Sequence, residues 1–212
     1  MPVFQSGPNQ APPWCELKSF DIVELNPGEN HCFERLGPKE KLIVGKGECR
    51  VRFGGEAVDA VEGTNLDIID DDIAFGVDEV KEPTTLIRMC GDWGEELGGS
   101  GLFLADKPEE RQEERGEPVD YPKETNFDAH WHDCDEYWIL FEGSGTAVTE
   151  GTHFEVKAGD CVATGMGHTH DFPIVNEPVR AVYFETTMMG EKRRGHLWSH
   201  THGPPEPKAD RV

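Results

Sequence analysis

Long apolar runs are missing from this chain: no stretch approaches the roughly 20 consecutive apolar residues of a membrane span. The opening MPVFQSGPNQAPPW has neither a basic start nor an apolar core of the secretory kind. A soluble, cytoplasmic protein is therefore expected. Basic side chains are scarce, 20 Lys and Arg against 42 Asp and Glu for a formal net charge of -22. That imbalance argues against nucleic acid and anionic membrane surfaces as partners. The 6 cysteines include no C-x-x-C pair and are scattered from Cys15 to Cys161. They are expected to be reduced and mostly to act as small buried apolar residues.

Turn formers are plentiful instead, with Gly 24 and Pro 15. Short runs such as LKSFDIVEL, EKLIVGKGECRVRF, LDIID, TTLIRM, YWILFEGSGTAVT, HFEVKAGDCVAT and VRAVYFETT alternate apolar and polar residues. A period of two bounded by Gly, Pro, Asn and Asp predicts strands joined by tight turns, hence an all-β protein. Residues 105 to 120, ADKPEERQEERGEPVD, carry charge without an apolar stripe and read as a solvated linker.

The two sides of that linker repeat each other. LIVGKGECRV aligns with WILFEGSGTAV at an offset of 98, VKEPTTLIRM with VNEPVRAVYF at 95, and Gly63 with Gly159 at 96. A period this long implies two domains of one fold and not a stacked array. The expected division is a first domain at 1 to 104, the linker at 105 to 120, a second domain at 121 to 190 and a tail at 191 to 212.

One segment carries chemistry. In FDAHWHDCDEYWILFEGSG, His130 and His132 stand two apart, so a strand would point both imidazoles to one face and Trp131 to the other. Glu136 follows four residues later, and His170 arrives after the turn Gly165-Met166-Gly167. Three imidazoles and one carboxylate suit a divalent transition metal (Fe, Mn, Ni, Zn, Co or Cu) and leave coordination positions for water or substrate. Strand parity also points Trp138, Leu140 and Phe172 inward as walls of a substrate pocket. His168 and Glu136 are candidates for moving a proton. Asp133 and Asp135 read as rim carboxylates that serve solubility more readily than as groups orienting a ligand.

His130 to Gly143 resembles the first cupin motif, H-x-H followed by a glutamate and a glycine in register. GDCVATGMGHTH resembles the second at Gly159, Gly167 and His170, with Gly165 where proline is usual. The resemblance implies two tandem double-stranded β-helix barrels of jelly-roll topology, a bicupin, with one ion in the second. Offsets of 98 and 95 set Cys32, Glu34, Pro38 and Phe75 against the four ligands, so the first barrel is expected to be degenerate and metal-free.

Lys192, Arg193 and Arg194 with His196, His200 and His202 form a basic tail that could receive an anionic group, or wrap over the barrel through Leu197 and Trp198, with residues 204 to 212 mobile. The expected function is a metal-dependent enzyme on a carbohydrate-derived or other polar anionic small molecule, of isomerase, epimerase or lyase type. The alternatives are an iron-dependent dioxygenase of the bicupin type and a non-catalytic metal or sugar sensor. Exposed strand edges favour a homodimer.

Overall fold

The computed structural model describes residues 2–68, 74–110, 112, 113 and 115–212. The last two residues of the LDIID run and two positions of the charged linker lie outside them. The alternating runs form strands throughout. β1 (Val3–Gln5) is followed by β2 (Leu17–Leu25), β3 (His31–Glu34), β4 (Lys39–Lys46), β5 (Glu48–Phe53), β6 (Glu56–Val61), β7 (Asn65–Ile68), β8 (Ala74–Asp78) and β9 (Thr84–Gly91). After these come β10 (Leu97–Ala105), β11 (Glu136–Thr149), β12 (Thr152–Lys157), β13 (Asp160–Thr164) and β14 (His170–Thr187), then a single helical turn, α1 (Ser199–His202). No helix among the described residues is long and apolar enough to cross a membrane.

The chain divides into two compact units. One comprises residues 6–11 and 17–93, the other residues 1–5, 12–16 and 94–212. The boundary differs from the one expected at residue 104. β10 pairs along its length with β14, from Leu97 opposite Thr187 to Ala105 opposite Val179, so the backbone ladder draws residues 97 to 105 into the second unit.

In the first unit two four-stranded sheets, β2-β9-β4-β7 and β3-β8-β5-β6, share one apolar core. Leu42, Val44 and Leu86 come from the first sheet and Phe33, Val51, Phe75 and Val77 from the second. Each is nearly sealed from water, worth roughly 1.5–3 kcal/mol per large side chain before entropy is counted.

In the second unit six strands form one sheet in the order β1-β13-β11-β14-β10, with β12 on β11. β11 and β14 are long and interrupted by register shifts between Leu140 and Val148. Such bulges bend a strand and increase its twist. β11 therefore pairs with β13 through its first residues and with β12 through its last. Gly143 sits at such a point with φ +81, and a Cβ there would lie 2.1 Å from the Pro178 carbonyl oxygen. Only glycine fits.

The units repeat backbone details at a constant spacing of ninety-six residues. Gly47 and Gly143 both adopt positive φ, Gly63 donates to the Val44 carbonyl as Gly159 does to that of Leu140, and Glu34 pairs with Ala74 as His130 pairs with His170. This register corrects the offsets of 98 and 95: Glu34, Leu36, Glu40 and Ala74 answer His130, His132, Glu136 and His170. Glu40 is held by the Arg88 guanidinium, Nε at 3.0 Å and Nη2 at 2.9 Å, and Arg88 rests over Phe33 and Phe75 at 5.3 and 5.6 Å. A protein cation thus occupies the carboxylate that would otherwise resemble Glu136.

All six cysteines are free thiols, five of them buried and Cys32 exposed. Burial pushes the Cys49 and Cys90 thiols up to about 11 and about 12, which keeps them protonated and unreactive.

Candidate metal centre

His130 is set by a two-residue bridge to the start of β14: its N–H donates to the His170 carbonyl at 3.1 Å and the His170 N–H donates back at 2.8 Å. Trp131 turns the other way and exchanges N–H···O bonds of 2.9 and 3.0 Å with Leu197. Alternation across three residues therefore sends His130 and His132 to one side, as their spacing implied. Glu136 opens β11 and His170 opens β14.

The four residues are 4% exposed or less, and one candidate ligand atom from each lies within 4.8 Å of all the others. Each imidazole is oriented from behind. Nδ1 of His130 donates to the Asp128 carbonyl at 2.6 Å, that of His132 to Gly195 at 3.1 Å, and that of His170 to His168 at 2.9 Å. With the proton on Nδ1, each Nε2 presents a lone pair inward. His130 Nε2, His132 Nε2, His170 Nε2 and Glu136 Oε2 are buried and have no hydrogen-bond partner.

The short approaches of Glu136 Oε2 to His170 Nε2, 2.7 Å, and to His132 Nε2, 3.1 Å, are thus between acceptors. Four converging lone pairs repel one another unless a cation sits among them. Protons respond to the same field. Burial depresses the His130 imidazole well below its ordinary range, and His170 and His132 push it further down. Burial also pulls on His132, but the Glu136 carboxylate outweighs it and the net shift is upward. Glu136 is opposed by burial, yet His132 and His170 hold it well below the usual carboxylate range. A divalent ion would supply the positive charge toward which Glu136 and the imidazoles converge.

A cavity of about 360 Å³ opens on the cluster, lined by His130, Glu136 and Trp138 together with Phe103, Phe127, Tyr183, Glu185, His196 and three glycines. Trp138 lies in the wall, its ring 5.2 Å from that of His170. Leu140 and Phe172 do not line the cavity. Both are 0% exposed and belong to the apolar cluster that also takes in Trp138, further along β11 and β14 from the ligand positions. His168 also points elsewhere: its Nε2 donates to the Lys208 carbonyl at 2.9 Å and its Nδ1 lies 3.6 Å from Glu150. Its contribution to the cluster is its backbone carbonyl, which orients His170.

The loop and tail depart most from expectation. Asp133 and Asp135 are 0% exposed. Asp133 takes a two-pronged grip from Arg193, Nε to Oδ2 and Nη2 to Oδ1 at 3.0 Å each, plus the Arg193 N–H at 2.8 Å. Asp135 accepts from Arg211 Nη1 at 2.6 Å and from the Met166 N–H at 2.8 Å. Residues 204 to 212 are thereby pinned, with the Lys208 N–H also donating to the Met166 carbonyl at 3.1 Å. Lys192 pairs with Glu96 at 2.8 Å and Arg194 donates to the carbonyls of Leu97 and Gly98, so none of the three basic residues faces the cavity. The same tail supplies two site residues: Gly195 holds His132, and the His196 ring stacks on His130 at 4.1 Å.

No protein-family model matches the chain. A curated relative does: "Uncharacterized protein y4oW" of Sinorhizobium fredii is 45% identical over 212 residues, which cover 100% of this chain and 97% of the relative. The chain belongs to the y4oW family. Solved structures resemble this y4oW-family member at low identity. Oxalate decarboxylase of Bacillus subtilis, studied for its Mn(II) centres, superposes with TM-score 0.55 at 12% identity over 88% of this chain and 72% of that one. Protein Ylba of E. coli gives 0.51 at 14% over 79% and 76%, and the putative glyoxylate induced protein of Pseudomonas aeruginosa gives 0.52 at 12% over 93% and 85%. The likeness shows the fold alone, an all-β fold of cupin type.

Phe103, Phe127, Tyr183, Glu185 and His196 were not singled out from sequence as pocket residues. Tyr183 and Glu185 had a signal, being two apart on an otherwise apolar strand and therefore on the same face. Phe103 and Phe127 had none, since they enter from β10 and from the loop before His130.

Proposed function

We propose that the chain is a bicupin whose second unit is a divalent-metal-dependent enzyme acting on a small organic molecule, with His130, His132, Glu136 and His170 as the ligands. The observation that carries this reading is the convergence of three Nδ1-anchored imidazoles and one carboxylate whose inward atoms have no partner. The donor set fits such an ion: neutral nitrogen and one anionic oxygen, in a buried pocket with one open side. When bound, the ion would act as a Lewis acid on a carbonyl or hydroxyl oxygen. The chain's own residues orient the ligands, exclude water with Phe103, Phe127 and Trp138, and leave the cavity as the substrate's place.

The isomerase, epimerase or lyase class remains compatible with this centre. Its basis in the basic tail is removed, because Lys192, Arg193 and Arg194 are engaged by Glu96, Asp133 and backbone carbonyls. An oxygenase is the second reading, favoured by the aromatic wall of the cavity. Elemental analysis of protein purified without a nickel column, joined to an oxygen-uptake screen, separates the two. One ion per chain, absent from His130→Ala and His132→Ala, supports the centre. Iron with oxygen consumption would select the oxygenase, and manganese, zinc or nickel with inert oxygen the Lewis-acid class. A homodimer is part of the proposal and is read from light scattering.

A further inference from the structure

The metal reading leaves one wall of the cavity without a role. Glu185, on β14, is 6% exposed and lines the opening beside Glu136. Among the described residues no protein group donates a hydrogen bond to its carboxylate, and the His132 Nδ1, which donates to Gly195, lies 3.9 Å from it. A carboxylate that faces the cavity in that condition offers its lone pairs to whatever occupies it, so a donor from outside the protein can bind there.

Glycines let the backbone pass close to that carboxylate without covering it. A Cβ on Gly98 would lie 2.6 Å from both Cβ and Oε2 of Glu185, and one on Gly99 would lie 3.5 Å from Oε2. Any larger residue at Gly98 would close the approach. The remaining surface is aromatic: the rings of Phe103, Phe127 and Trp138 pack on one another with centroids 5.2–5.6 Å apart. No lysine or arginine lines the cavity among the described residues. An anionic group set against Glu185 itself would meet a like charge, with no lysine or arginine in the cavity wall to offset it.

We propose that the cavity takes a ligand with a ring-sized apolar body and a hydrogen-bond-donating head, a hydroxyl or an ammonium, set against Glu185, and that it rejects a carboxylate or phosphate at that position. As a statement about the substrate of the metal site this rests on the function proposed above, but the head-group recognition is made by side chains alone. It can therefore be measured apart from the metal.

The test is calorimetric titration of the full chain, stripped of metal, with benzyl alcohol, benzylamine and benzoate, three molecules of one shape and different heads. The alcohol and the amine are expected to bind about tenfold or more tighter than benzoate. Glu185→Gln is expected to erase the advantage of benzylamine and to keep benzyl alcohol binding, while Phe103→Ala weakens all three together. Benzoate binding as tightly as the other two, no binding by any of them, or a ranking unchanged in Glu185→Gln would overturn the proposal. Metal content is measured separately on the same samples. A chain that retains no ion but keeps the ranking counts against the metal reading and supports the head-group assignment, and a chain that retains its ion without the ranking does the opposite.

Discussion

Replacing Asp133 by alanine tests whether the tail holds the centre together. The carboxylate is fully buried and receives three N–H groups of Arg193, whose guanidinium also lies 4.6 Å over the Trp131 ring. Removing one partner of a buried ion pair costs about 3–5 kcal/mol. Arg193 keeps 22% of its side chain exposed and can rehydrate in part, which brings the expected loss to roughly 2–3 kcal/mol. For a chain of this size that is a drop in Tm of roughly 5–10 °C. The local effect is sharper. Arg193 fixes the segment that carries Gly195, whose carbonyl orients His132, and losing such an orienting partner weakens metal binding about 10–100-fold. Thermal unfolding and a competitive metal titration read the two effects on one sample, with Asp133→Asn intermediate in both. A variant with unchanged Tm and unchanged metal affinity would refute the reasoning.

The other expectations are more local. Gly143→Ala meets the Pro178 carbonyl at 2.1 Å from a positive-φ position, so it is expected to lower the yield of folded protein and to destabilise by several times the ~1 kcal/mol typical of a point change, as measured by urea unfolding. Arg88→Leu leaves Glu40 buried without its cation and is expected to cost about 3 kcal/mol or more, whereas Arg88→Leu with Glu40→Leu recovers most of it; a double variant no better than the single one would argue against the pairing. Burial raises the Asp135 carboxyl above its ordinary value despite Arg211. The folded state therefore holds that proton more tightly than the unfolded chain, whose carboxyl titrates near ~3.9. Stability contributed by the protonated group is present below that pH and is lost as pH rises through the folded value. The stability of the native chain relative to Asp135→Asn should accordingly fall as pH rises across the acidic range, and a relative gain would contradict the assignment.

Much of the candidate site was legible because three of its four residues are local. His130, His132 and Glu136 are spaced by strand parity, and His170 follows a glycine turn of recognisable form, so sequence alone named the four side chains that converge. The tail was not legible. Arg193 and Arg211 find Asp133 and Asp135 across more than fifty residues, and no local pattern distinguishes a carboxylate awaiting a distant arginine from one facing water. His168 shares parity with His170 but lies in the turn before β14, where alternation no longer governs direction. The repeat was visible, although its register was not. Glycine pairs aligned by eye gave offsets of 98 and 95, while the positive-φ glycines Gly47 and Gly143, equivalent in conformation, set it at ninety-six. The corrected register sets Glu40 where Glu136 stands, with the Arg88 guanidinium bound to it.

X-ray absorption at the edge of the metal retained by the purified protein examines the central claim most directly. The expected spectrum is that of one ion per chain with nitrogen and oxygen neighbours only, three of them imidazoles, and its imidazole scattering falls when His170 is replaced by alanine. A sulfur neighbour, a second ion per chain, or a spectrum indifferent to His170→Ala would contradict it.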